Sequence, residues 1–159
     1  MIIFLSGSIN SGKTTIARIL VQKIPDCVNL EVDNICELVN HIDRKDIEVL
    51  ILENIVSLIF DYIKHDLNVV VNYTFGDTTF EFVKKQLAAL HQDIYLFTLN
   101  PTLEVALSKR GEEKKETFDK ERIKYHYKLG INNLKSSISI DNSHQIPEET
   151  AKEVLSKIR

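Results

Sequence analysis

Short apolar runs alternate with longer stretches of helical periodicity along the whole chain. The runs Ile2-Ile3-Phe4-Leu5, 28–33, Asn68-Val69-Val70-Val71-Asn72, 94–99 and 137–141 have the length and the β-branched or aromatic character of strands. Between them the period becomes helical. Ile16, Ile19, Leu20 and Ile24 mark a helix that Pro25 ends, and 34–41 reads as a short one. The stretch 46–65 carries Ile47, Leu50, Ile51, Ile55, Leu58, Ile59 and Tyr62 on one face, and Val49, Leu52, Val56 and Phe60 widen it. So broad an apolar face predicts burial on more than one side, under a neighbouring helix or at a subunit contact. Further helices are expected at 78–91, at 101–110 with Pro101 in the first turn, at 118–130 and at 147–158. The last of these has Ala151, Val154, Leu155 and Ile158 as its stripe.

Strands alternating with helices predict an α/β fold, a three-layer doubly wound parallel sheet covered on both faces. Ligands of such sheets lie at the carboxyl ends of the strands. Glu31, Asp33, Asn72, Tyr73 and Asn100 fall there, together with the turn after the first strand.

That turn carries the most specific chemistry in the chain. From Gly7 to Thr14 the sequence is GSINSGKT, which fits the phosphate-loop pattern G-x-x-x-x-G-K-[ST] between a strand and a helix. Glycines at both ends let successive amides turn toward one phosphate, and the helix start adds its unpaired N–H groups. Lys13 would place a point charge on the β- and γ-phosphates, and Thr14 would offer its hydroxyl to Mg²⁺. Gly7, Ser8, Asn10, Ser11, Gly12, Lys13, Thr14 and Thr15 are therefore the candidate binding residues for a nucleoside triphosphate with Mg²⁺.

Bulk properties narrow the partners. A length of 159 residues suits a single domain spanning 1–159. A net charge of −3, with no basic stripe, argues against nucleic acid and acidic membranes. No apolar run approaches bilayer length, and the N-terminal one is too short for a signal peptide's core. Cys27 and Cys36 fit neither a zinc spacing nor a redox pair, so two reduced, partly buried thiols in a cytoplasmic protein are expected.

The order of elements, the early phosphate loop and the size resemble the P-loop small-molecule kinases over essentially the whole chain. Shikimate kinase-like enzymes have a D-x-D pair after the second strand, where this chain has Glu31-Val32-Asp33. The fourth strand, Arg110, the polar stretch 111–117 and the ending IDNSHQIPEETAKEV are similar to chloramphenicol phosphotransferase-like proteins. The resemblance implies the nucleoside monophosphate kinase fold, with five parallel strands in the order 2-3-1-4-5 and a short lid at about 111–117. It implies phosphoryl transfer from ATP to a hydroxyl of a small molecule, by a monomer or a homodimer. Asp33 is then the candidate general base or acceptor-positioning group, with a helix N-cap as the alternative reading. Glu31 would hold a Mg²⁺-bound water, with a solvated strand-end acid as the alternative, and Arg110 would touch nucleotide, unless it only complements a helix dipole. Arg122 would reach the transferred phosphoryl or an anionic substrate, and Lys114 and Lys115 would be lid cations or simply part of a solvated charged surface. Asn142 and Ser143 fall where the family has backbone contacts to adenine, while His126 reads as a packing or surface residue. Tyr73, Thr74 and Phe75 are expected to line the acceptor pocket, Phe75 being equally well explained by packing.

Asn72 departs from the family, whose third strand commonly ends in aspartate. An amide brings no charge to the metal. That departure keeps a nucleotide-binding regulatory module with little transfer in view, beside a nucleoside or nucleotide kinase. The latter lacks an obvious pair of arginines for an acceptor monophosphate.

Overall fold

A computed structural model describes residues 1–43, 46–108 and 117–158. Its centre is β1 (Ile2–Gly7), buried along its whole length, as expected of a strand with neighbours on both edges and helices on both faces. Around it lie β2 (Cys27–Glu31), β3 (Asn68–Asn72), β4 (Ile94–Leu99) and β5 (Ile138–Ile140). The five strands form one sheet in the order β2-β3-β1-β4-β5, every pairing parallel. The sheet class and the strand order are those expected.

The helices are α1 (Lys13–Lys23), α2 (Val32–Val39), α3 (Ile47–Lys64), α4 (Asp77–Leu87), α5 (Leu103–Leu107), α6 (Thr117–Lys128) and α7 (Pro147–Ser156). Because side chains of a strand alternate between faces, β1 feeds two cores. Ile2 and Phe4 join Val69 and Val71 under α3 and α4, through Ile55, Ile59, Phe80, Val83 and Leu87. Ile3 and Leu5 join Val70 and Phe97 on the other face, under Ile16 and Leu20 of α1 and Ala151 and Val154 of α7. Phe75 belongs to the first core, fully buried with its ring edge-on to Phe4 at 5.4 Å. It packs and does not line a pocket.

Several boundaries differ from the sequence reading. The second strand ends at Glu31 and passes into α2 with no loop, so Glu31 holds the N-cap position and Asp33 lies in the first turn. The capping alternative for Asp33 does not hold. Thr102 caps α5 by accepting from the Val105 amide at 3.3 Å, which leaves Pro101 outside that helix. On α3, Ile51, Leu52, Ile55 and Ile59 are buried, but Val49 and Leu50 are 45% and 40% exposed. The helix is therefore covered along one broad side, by α2 and α4, and not all round. Cys27 and Cys36 are free, half-buried thiols. No helix among the described residues is long and apolar enough to cross a membrane.

Candidate active site

The loop between β1 and α1 makes its turns where the backbone enters the left-handed region: φ is 134° at Gly7, 63° at Asn10 and 99° at Gly12. The Ser11 amide donates to Ser8 O at 3.2 Å, closing the loop, and the Ile16 amide donates to Gly12 O at 3.0 Å, starting the helical ladder of α1. The first amides of α1 thus point into the concavity of the loop, the arrangement that favours an anion. Lys13 curls over the same concavity, its Nζ donating to Gly7 O at 3.0 Å and Ser8 O at 2.9 Å.

The side chains of the loop divide into those that face the cleft and those that support it. Gly12, Lys13, Thr14 and Thr15 line a cavity of about 1030 Å³. Ser8 and Ser11 are buried beneath it. Asn10 borders the cavity but spends its amide on structure, donating to Ala106 O at 2.7 Å and Ser108 O at 3.0 Å at the end of α5. Asn142 is likewise buried, and its amide donates to Ser11 O at 2.9 Å. It braces the loop from behind instead of bordering the cleft. Ser143 accepts from the Thr102 amide at 2.9 Å, tying the β5 exit to α5.

At the mouth of the loop, three polar side chains meet. Thr14 Oγ1 donates to Glu31 Oε1 at 2.9 Å, and Asn72 Nδ2 donates to Thr14 Oγ1 at 3.1 Å and to Glu31 Oε1 at 3.5 Å. Strand register explains the meeting, since Glu31 and Asn72 are paired residues at the carboxyl ends of β2 and β3. The carboxylate missing from β3 is supplied one strand over. A hydroxyl, a carboxylate and an amide oxygen are hard donors, and one or two protein oxygens beside phosphate is how Mg²⁺ is commonly held. The donor set fits that ion. Among the described residues no group of three His, Cys, Asp or Glu side chains comes together.

Beyond the loop the cleft is walled by Asp33, Cys36 and Glu37 of α2 and Asn40 just after it, by Tyr73 and Thr74 after β3, and by Arg122, Tyr125 and His126 of α6. Lys13, Thr14, Asp33 and Arg122, singled out from three separate stretches of sequence, therefore share one cavity. Burial pushes the Tyr73 phenol up to about 12, helped by the neighbouring Cys36 thiol, to which it donates a hydrogen bond. Burial also raises the Cys36 thiol, leaving both groups protonated at neutral pH. Arg110, Lys114, Lys115 and the rest of the expected lid up to residue 116 lie outside the described residues.

Two features were hidden from sequence reasoning. The Thr14–Glu31–Asn72 cluster needs the register of β2 on β3. His126 is only 6% exposed, and its Nδ1 lies 3.4 Å from both the Ile9 amide and Ser8 Oγ of the loop. Its one sequence signal is the four-residue spacing from Arg122, which puts both on one face of α6. Burial, then the charges of Arg122 and Lys13, lower the His126 pKa to about 4, so the ring is neutral at physiological pH.

No protein-family model matches the chain, and no curated protein matches it by sequence. Its fold, however, recurs among solved structures. A Janibacter sugar kinase is 18% identical with a TM-score of 0.71, covering 98% of this chain and 92% of its own. The Deinococcus radiodurans tunicamycin resistance protein is 15% identical with a TM-score of 0.69, covering 98% and 94%. Mycobacterium tuberculosis APS kinase, solved with AMPPNP and APS, is 16% identical with a TM-score of 0.69, covering 98% and 95%. Strand order, phosphate loop and these neighbours agree: the chain has the fold of the P-loop kinases.

Proposed function

We propose that the chain is an ATP-dependent phosphotransferase that moves the γ-phosphoryl group to a hydroxyl of a small molecule. The observation that carries this reading is one cleft lined by Lys13, Thr14 and the Asp33 side chain together. Phosphoryl transfer asks little of a protein beyond alignment and charge neutralisation. The loop amides and Lys13 would hold the β- and γ-phosphates, and Asp33 would orient the acceptor O–H and take its proton. The acceptor oxygen forms the new bond to phosphorus, the bond to the β,γ-bridging oxygen breaks, and its electron pair leaves with ADP. Arg122 would balance charge beside the transferred group. Thr14 and, through a water, Glu31 would hold Mg²⁺, which would supply neutralisation of the phosphate oxygens. The sugar kinase and APS kinase neighbours, named for small-molecule acceptors, support an acceptor of that size.

The rival reading, a nucleotide-binding module with little transfer, draws on Asn72 at the end of β3. The Glu31 carboxylate beside it weakens that argument. Calorimetry with MgATP, followed by ADP release across sugars, nucleosides, aminoglycosides and chloramphenicol, separates the two. We expect MgATP binding and acceptor-stimulated ADP release for at least one class. Lys13→Ala should weaken MgATP binding by about tenfold to a hundredfold, the loss of charge-assisted hydrogen bonds to two phosphates. Binding without stimulated turnover would favour the module. No heat from MgATP or MgGTP would end both readings.

A further inference from the structure

We propose that His126 is a positioning residue that straps the phosphate loop to α6, accepting a hydrogen bond from the Ile9 amide at Nδ1 and thereby setting the loop and Arg122 in one fixed relation. The proposal rests on the phosphotransferase reading and adds to it a group that never touches the transferred phosphoryl.

The geometry comes from both sides of the loop. Ile9 and Asn10 are adjacent residues at its tip. The Ile9 amide and the Ser8 hydroxyl both lie 3.4 Å from His126 Nδ1 on α6. The Asn10 amide group donates to Ala106 O and Ser108 O at the end of α5. The helices α5 and α6 flank residues 109–116, so the chain on either side of that stretch is anchored to the same turn of backbone. Arg122 lies one helical turn before His126 and borders the cleft. A shift of α6 that broke the strap would move Arg122 and release the loop tip together.

An imidazole that accepts at Nδ1 carries its proton on Nε2 and must be uncharged. An imidazolium would set Nδ1–H against the Ile9 N–H, donor facing donor. Burial, Arg122 and Lys13 all act against that charge. The bland alternative is a histidine that merely fills space between α6 and the loop, and it makes different predictions for two substitutions. His126→Leu keeps apolar volume and loses the acceptor. His126→Asn loses volume but can present Oδ1 near the Nδ1 position.

The test is amide hydrogen exchange at Ile9, read by NMR without nucleotide, together with MgATP affinity by calorimetry. In His126→Leu the Ile9 amide should exchange about tenfold faster, and MgATP affinity should fall about three- to tenfold, the scale of one lost hydrogen bond. In His126→Asn both should stay within about twofold of the starting protein, for the same reason. Unchanged Ile9 protection in His126→Leu overturns the strap, as does an Asn variant that loses as much as Leu at equal thermal stability. Should either variant fail to fold, ¹⁵N spectra of the unsubstituted protein decide: a bare Nδ1 with the proton on Nε2 at pH 7 supports the strap, and a protonated Nδ1 overturns it. Because exchange at Ile9 needs no nucleotide, a failure of MgATP to bind would sink the phosphotransferase reading and still leave the strap decided on its own measurement.

Discussion

Gly7→Ala is expected to cost roughly 3–5 kcal/mol, the sum of left-handed backbone strain and overpacking. The reason is close quarters at the end of β1. A Cβ at position 7 would sit 2.6 Å from Leu99 O and 2.8 Å from Ser11 Oγ, with φ at +134°. The carbonyl belongs to β4, paired with Gly7 in register, and cannot step aside without breaking the sheet. The hydroxyl belongs to the phosphate loop itself, and Ser11 is fully buried. Two other glycines calibrate the claim. Gly130 has φ at +74° but nothing within 4 Å, so Gly130→Ala should cost only the conformational strain, about 1 kcal/mol. Gly76 has ordinary extended backbone and only Thr79 Oγ1 nearby, at 3.9 Å, so Gly76→Ala should be near neutral. Urea melts of the three variants should rank in that order, with the Gly7 midpoint far below the others. A Gly7→Ala protein as stable as Gly76→Ala would mean that the loop and β4 do not approach as closely as the structure has them.

The reason the loop was legible in the sequence and much of its surroundings was not is one of range. Five residues between a strand and a helix fix where Lys13 and Thr14 sit, so the motif alone places them. The strands were legible for a similar local reason, since Val69-Val70-Val71 between two asparagines offers no amphipathic alternative. The β2–α2 junction was misread because no Gly or Pro separates Glu31 from Val32, and the chain turns into helix where the pattern still reads as strand. Asn10 and Asn142, candidate nucleotide-binding residues by position, each donate a side-chain amide to a carbonyl that holds the loop in place, which the sequence does not show. Such roles depend on which carbonyls the fold brings near, and those lie 96 and 131 residues away in the chain. On α3 the apolar count was real, but a cylinder pressed on one side of a sheet leaves Val49 and Leu50 outward.

Glu31 and Asp33 stand two residues apart and should fail in different ways when neutralised. Glu31 closes β2 with its carboxylate turned to the Thr14 hydroxyl, where the proposed Mg²⁺ would be held. Asp33, in the first turn of α2, borders the cleft beyond it, on the same wall as Cys36 and Glu37. Asp33→Asn keeps a hydrogen-bonding side chain of the same size but cannot take the acceptor's proton, so turnover should fall about 10²- to 10⁴-fold, the usual worth of a general base. MgATP affinity should stay close to that of the starting protein, because Asp33 has no partner in the loop. Glu31→Gln keeps the hydrogen bond to Thr14 and removes the charge, so its deficit should shrink as magnesium is raised, with the acceptor KM unchanged. The measurement is kcat and KM for MgATP and acceptor over a magnesium titration for both variants. If magnesium rescued Asp33→Asn and left Glu31→Gln slow, the two carboxylates would have to exchange roles, and the metal would belong on the α2 wall of the cleft. If neither variant changed turnover, the transferred phosphoryl would not pass between these walls at all.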